Sequence, residues 1–150
     1  MTDPNEHAVH VLNSLIETTL DSANGYREAA EHTDNPRFKT MFADRSSKRM
    51  ELTQKLQAEV RSFGAKPEDE QSLIGKLHNE FVGLKNALTG GSDKSVIDEV
   101  ERGEDVIKGK YEKAAADPDL PANVHELVDT ALTSVRADHD EVSRLKHQLQ

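Results

Sequence analysis

The 150-residue sequence contains no cysteine. That absence excludes disulfides, thiolate metal sites and cysteine nucleophiles together. Aromatic residues are scarce at 4%, against 31% charged and 35% hydrophobic. Such a profile suits long amphipathic helices whose cores are built from Leu, Val, Ile and Ala. A basic excess is missing too: the net charge of −9 works against non-specific binding to nucleic acid or anionic membranes. No apolar run approaches the ~20 residues needed to span a bilayer. The opening Met1-Thr2-Asp3-Pro4-Asn5-Glu6 is polar and acidic without a signal-peptide core, which points to cytoplasmic residence. Strand-like alternation, internal repeats and low-complexity tracts do not occur. Neither does a glycine-rich phosphate loop, a Gly-x-Ser-x-Gly elbow or a His-Glu-x-x-His zinc helix.

What is present is apolar periodicity at three- and four-residue steps. Asp3, Pro4 and Glu6 form a capping-box start to a first helix that ends near His32. Its stripe runs through Val9, Leu12, Ile16, Thr19, Ala23, Tyr26 and Ala30. After the turn Thr33-Asp34-Asn35, a second helix from Pro36 to Phe63 carries Phe38, Met41, Phe42, Leu52, Leu56 and Phe63. Arg45 and Glu59 share that face, and Lys48 and Arg49 flank it. Gly64 and Pro67 stop it. A shorter helix, roughly Glu70 to Thr89, uses Leu73, Leu77, Phe81, Leu84 and Leu88, with His78 at its margin. Gly90-Gly91 ends it, and Ser92 or Asp93 caps a fourth helix reaching Ala116. A stiff turn, Asp117 to Pro121, leads to a fifth helix ending at Leu149. That last stripe holds Val124, Val128, Ala131, Val135, Val142 and Leu145, with Asp138 in the remaining position.

The reading is all-α, one domain over residues 1–150. Short turns make helices one and two, and four and five, antiparallel hairpins. The shorter third helix is about 30 Å long at 1.5 Å per residue, enough to carry the chain from one end of a bundle to the other. Helices two and four then run parallel.

Gly25-Tyr26-Arg27-Glu28-Ala29-Ala30-Glu31, Ala87-Leu88-Thr89-Gly90-Gly91 and Glu101-Arg102-Gly103-Glu104 resemble strings of an uncharacterised bacterial family of four-helix bundles. Leu77-His78 followed by Phe81, Leu84 and Lys85 fits the same family. The order of elements looks like a ferritin-like fold, two hairpins joined by one long crossover. The resemblance covers nearly the whole chain and implies a domain of unknown function, with a stress-associated role as its suggestion.

One residue breaks the pattern. Ile97, Val100, Ile107, Tyr111 and Ala114 define a buried stripe, and Glu104 occupies the step where an apolar side chain belongs. A carboxylate there needs a partner, either metal or arginine. Ferritin-like di-iron sites use one inward Glu on each of two helices and a Glu-x-x-His pair on each of the others. Here Glu17, Asp21 and Glu28 all project away from the first stripe. The second helix offers Glu51-Leu52-Thr53-Gln54 and Glu59-Val60-Arg61-Ser62, without histidine. In the fifth helix, Arg136 stands three residues before His139. The metal candidates left are Glu104, His139 and Glu59, in a reduced centre for iron or manganese. The competing expectation is a buried pair of Arg45 with Glu104, set level by counting from the turns, which fills the metal slot. Glu59 is expected to meet a polar group from the crossover helix, and His139 to lie near Arg27 and Glu101. His7 and His10, three apart, can hold a surface ion adventitiously.

These residues favour a non-catalytic bundle with no cofactor and a structural or protein-interaction role. The alternative is a metal-binding oxidase or storage protein with a remodelled di-metal centre. A homo-oligomer formed through the Ile74, Phe81 or Lys85 edge is a third reading. Membrane and nucleic-acid partners are not expected: acids dilute the basic residues between Lys39 and Arg61.

Overall fold

Local chemistry sets the helix ends in the structure, a computed structural model that describes residues 4–73 and 92–149. The long helices are α1 (Pro4–His32), α2 (Pro36–Ser62), α3 (Asp93–Ala115) and α4 (Ala122–Gln148). Asn35 caps α2, its side chain accepting from the amides of Arg37 at 3.0 Å and Phe38 at 3.3 Å. Pro36 fits the first position because no intrahelical partner exists there for an amide. Gly64 leaves α2 at φ 75°, a conformation that side chains with a Cβ rarely adopt. Ser92 caps α3 by accepting from the Ser95 amide at 3.3 Å. These ends fall within a residue or so of those expected. The cap at Asp3, His78 and most of the helix expected from Glu70 lie outside the described residues; residues 70–73 form a turn.

Cross-helix contacts fix the directions. Between α1 and α3, His7 meets Asp117, Thr19 meets Tyr111 and Tyr26 meets Glu104, so the two are antiparallel. Between α2 and α4, Arg45 meets Glu141, Arg49 meets Asp138 and Glu59 meets Asn123, again antiparallel. Between α2 and α3, Asn35 meets Asp93 and Arg49 meets Glu104, so these two rise together. The end of α2 and the start of α3 therefore lie at opposite ends of the bundle, one long crossover apart.

The core is divided. One apolar cluster gathers Leu12, Ile16, Leu20, Leu56, Ile107, Tyr111, Val128 and Val135, among others. A second, smaller one contains Tyr26, Phe38, Phe42, Ile97, Val100, Val142 and Leu145. Tyr26 and Phe38 each pack against Phe42, with ring centroids 5.8 and 5.7 Å away. Each fully buried Leu, Ile or Phe stabilises the fold by about 1.5–3 kcal/mol. At the boundary between the clusters all four helices place polar groups inward: Ser22 on α1, Arg45 and Arg49 on α2, Glu104 on α3 and Asp138 on α4.

Candidate functional site

This polar layer is where chemistry concentrates. Glu104 has no exposed surface and Arg49 is 1% exposed. The Arg49 guanidinium donates to Glu104 Oε2 at 2.9 Å, Asp138 Oδ2 at 3.2 Å and the Ser22 hydroxyl at 2.6 Å. The Tyr26 hydroxyl donates to the other oxygen of Glu104. Both carboxylate oxygens of this stripe-breaking residue thus have a donor, as a buried charge demands.

The expected Arg45–Glu104 pair is corrected by these contacts. The direct partner of Glu104 is Arg49, one turn further along α2. Arg45 instead reaches Glu141 at 2.7 Å and Asp138 at 3.5 Å. It is linked to Glu104 indirectly, through Tyr26, to whose hydroxyl it donates at 3.3 Å, and through Asp138 and Arg49. Lys48 completes the set with Asp138 at 2.9 Å. Both guanidinium carbons also stand 5.5–5.6 Å from the centre of the Tyr26 ring, within cation–π range. Three cations (Arg45, Lys48, Arg49) therefore meet three carboxylates (Glu104, Asp138, Glu141), and the layer carries no net charge.

Protonation states follow from this packing. Burial, reinforced by the Glu104 carboxylate, raises the Tyr26 pKa well above its ordinary value despite the two arginines, so the hydroxyl stays a donor. Burial is the largest influence and works against charge on Arg49, but its surroundings, Glu104 foremost and Asp138 with it, together outweigh burial and hold the guanidinium protonated above its usual range. Lower in the bundle, burial likewise raises Tyr111, whose hydroxyl shares a hydrogen bond with Thr19 at 2.8 Å.

The structure does not bring the metal candidates together. His139 turns to Asp105, with Nε2 2.6 Å from Oδ1, and to Asp140 at 3.3 Å, away from Glu104 and from the expected Arg27 and Glu101. Partial burial lowers its pKa, but the hydrogen bonds to Asp105 and Asp140 win and the net shift is upward. Glu59 accepts from the Asn123 amide on α4 near the lower end of the bundle. Asp21, expected to project away from the core, is buried. Asp138, read only as a stripe position, proves central, and Glu141 went unrecognised. The periodicity of α2 is the signal that points to Arg49: Phe38, Phe42, Arg45, Arg49, Thr53, Leu56 and Val60 keep three- and four-residue steps throughout, and a stripe drawn through apolar residues passes it by.

The sequence matches the family described as "Domain of unknown function (DUF2383)" over residues 7–117. The chain belongs to this family. No curated protein matches it. Among solved structures, a mutant of Mycobacterium smegmatis Dps1 is similar over 97% of this chain and 99% of that one, with a TM-score of 0.83 at 9% identity. At that identity the likeness bears on architecture alone. This DUF2383 protein is an all-α, ferritin-like four-helix bundle, as its element order implied.

Ferritin-like bundles can hold a di-metal centre at mid-height, so the fit of the polar layer to such a centre is a direct question. The donor set does not fit. Arg49 bridges Glu104 and Asp138, one nitrogen of its guanidinium lying 2.9 Å from the first carboxylate and 3.2 Å from the second. Two divalent cations would add +4 to a layer already balanced and would have to displace a buried guanidinium. The carboxylates here serve arginines and a lysine.

Proposed function

We propose that this DUF2383 protein is a non-catalytic ferritin-like bundle with a structural or protein-interaction role. The observation that supports this reading is the Arg49 guanidinium between Glu104 and Asp138 at 2.9 and 3.2 Å. A guanidinium that bridges both acids, with Lys48 and Arg45 supplying further positive charge at Asp138, stands where a ferritin-like oxidase or store would bind cations. Metal analysis tests it: the protein is expressed with iron or manganese, desalted and assayed for bound ions. Expected is no stoichiometric ion that depends on Glu104. One or more ions per chain, lost on Glu104→Gln, would overturn the reading in favour of a remodelled metal centre.

The reading extends to a cytoplasmic setting and, on the strength of the family resemblance alone, to a stress-associated role. Protein abundance before and after oxidant or starvation stress checks it, and unchanged levels count against it. Self-association through the expected Ile74, Phe81 or Lys85 edge, which lies outside the described residues, is the corresponding proposal for assembly. Sedimentation velocity decides it, a monomer at all concentrations being the negative result. Neither a nucleic-acid nor a membrane partner is proposed; among the described residues no helix is long and apolar enough to cross a membrane.

A further inference from the structure

We propose that His7, Asp117 and Asp119 form a site for one divalent transition-metal cation at the lower end of the bundle, where the start of α1 meets the α3–α4 turn. The three residues bring one donor atom each within 4.8 Å of the others. His7 Nε2 is already 2.7 Å from Asp117 Oδ2. Donors held at about 2.0–2.2 Å from a common ion lie no more than about 4.4 Å apart, so a modest side-chain rotation closes the set.

The backbone prepares one of the ligands. Asp117 Oδ1 accepts the Asp119 amide at 2.9 Å, which folds the turn and leaves Oδ2 directed at the imidazole. That amide, followed by His7, holds the Asp117 carboxyl below its ordinary range against the opposing effect of burial. An anchored carboxylate, a second carboxylate and one imidazole suit a borderline cation such as Zn²⁺, Fe²⁺ or Mn²⁺, and the two acids balance its charge.

A cavity of about 350 Å³ provides an independent observation. It opens beside His7 and Asp117, and His10, one turn along α1, lines it as well. Three protein donors leave coordination positions open, and the cavity gives water, or the second imidazole, access to them. Lys110 and Lys113 also line it, so a second cation is disfavoured and the stoichiometry is one. None of these residues belongs to the polar layer. The proposal therefore stands apart from the reading of that layer, and it assigns His7 a role beyond adventitious surface binding.

The test uses full-length, tag-free protein stripped of metal with a chelator. Zn²⁺ is titrated by calorimetry, and Co²⁺ by visible absorption as a reporter of nitrogen and oxygen ligation. One Zn²⁺ per chain is expected. His7→Ala and Asp119→Asn should each weaken binding at least as much as loss of an outer-shell partner, about 10–100-fold. His139→Ala, remote from the site, should leave affinity unchanged. Zn²⁺ should raise the melting midpoint of the parent protein more than that of His7→Ala, because the ion ties α1 to the α3–α4 turn. Circular dichroism establishes that both variants fold, and the two sit on different elements. Absence of binding, or binding that survives both substitutions, overturns the proposal. An ion that instead requires Glu104 overturns both this site and the non-metal reading of the layer.

Discussion

Replacing Arg49 by methionine keeps most of its length and removes only its charge and hydrogen bonds. Asp138 would retain Lys48 at 2.9 Å and Arg45 at 3.5 Å. Glu104, with no exposed surface, would keep only the Tyr26 hydroxyl. Stranding one member of a buried pair costs about 3–5 kcal/mol. For a domain of this size each kcal/mol lowers the melting temperature by about 2–4 °C, so Arg49→Met should lose roughly 6–20 °C. Urea titration is the assay, since an ionic denaturant would screen the charges under study. Adding Glu104→Gln to Arg49→Met removes the stranded charge and should restore part of the loss, a coupling of about 0.5–3 kcal/mol in a double-mutant cycle. Arg45→Met should cost less, because its closest acid, Glu141, has a side chain 47% exposed and can be hydrated. A cost below about 1 kcal/mol for Arg49→Met, or a larger one for Arg45→Met, would refute the assignment of Arg49 as the partner of Glu104.

Tyr26→Phe keeps the ring but removes the donor to Glu104 and the acceptor for Arg45, and should cost about 1–3 kcal/mol in the same titration. A neutral result would place that hydroxyl outside the energetics of the layer. His139 is raised above its ordinary 6.5 on folding, so its contribution is fully present below 6.5 and is lost as pH rises through the raised value. The stability difference between the parent and His139→Gln should accordingly be larger at acid pH than at alkaline pH. Chemical denaturation at both ends of that window measures it, and a flat or inverted difference contradicts the Asp105 contact.

The helix ends were legible because caps and stops are local: Asn35, Pro36, Gly64 and Ser92 each act within a few residues of where they stand. The buried carboxylate was legible because a charge at Glu104 interrupts an otherwise apolar stripe. Its partner was not, for two reasons. Drawing the α2 stripe through apolar residues alone set Arg49 on the flank, although it keeps the same periodicity as Phe42 and Leu56. Counting heights from the turns then carries an error of about one helical turn, and Arg45 and Arg49, four residues or about 6 Å of rise apart, differ by about that much. Asp117 and His7 lie 110 residues apart in sequence, and only the antiparallel pairing of α1 with α3 brings them into contact.

A charge-balanced stratum between two greasy halves also constrains how this chain can drift. Well-packed hydrophobic replacements of buried ion pairs are often as stable as the originals or more so. Here, reaching such a core means exchanging Arg49 and Glu104 together, since either one changed first strands the other, whereas Asp138 shares its charge with Lys48 and Arg45 as well. Either first step costs stability even if the destination does not. The middle of the bundle is thus held in place by the cost of its intermediates rather than by any superiority of the arrangement itself.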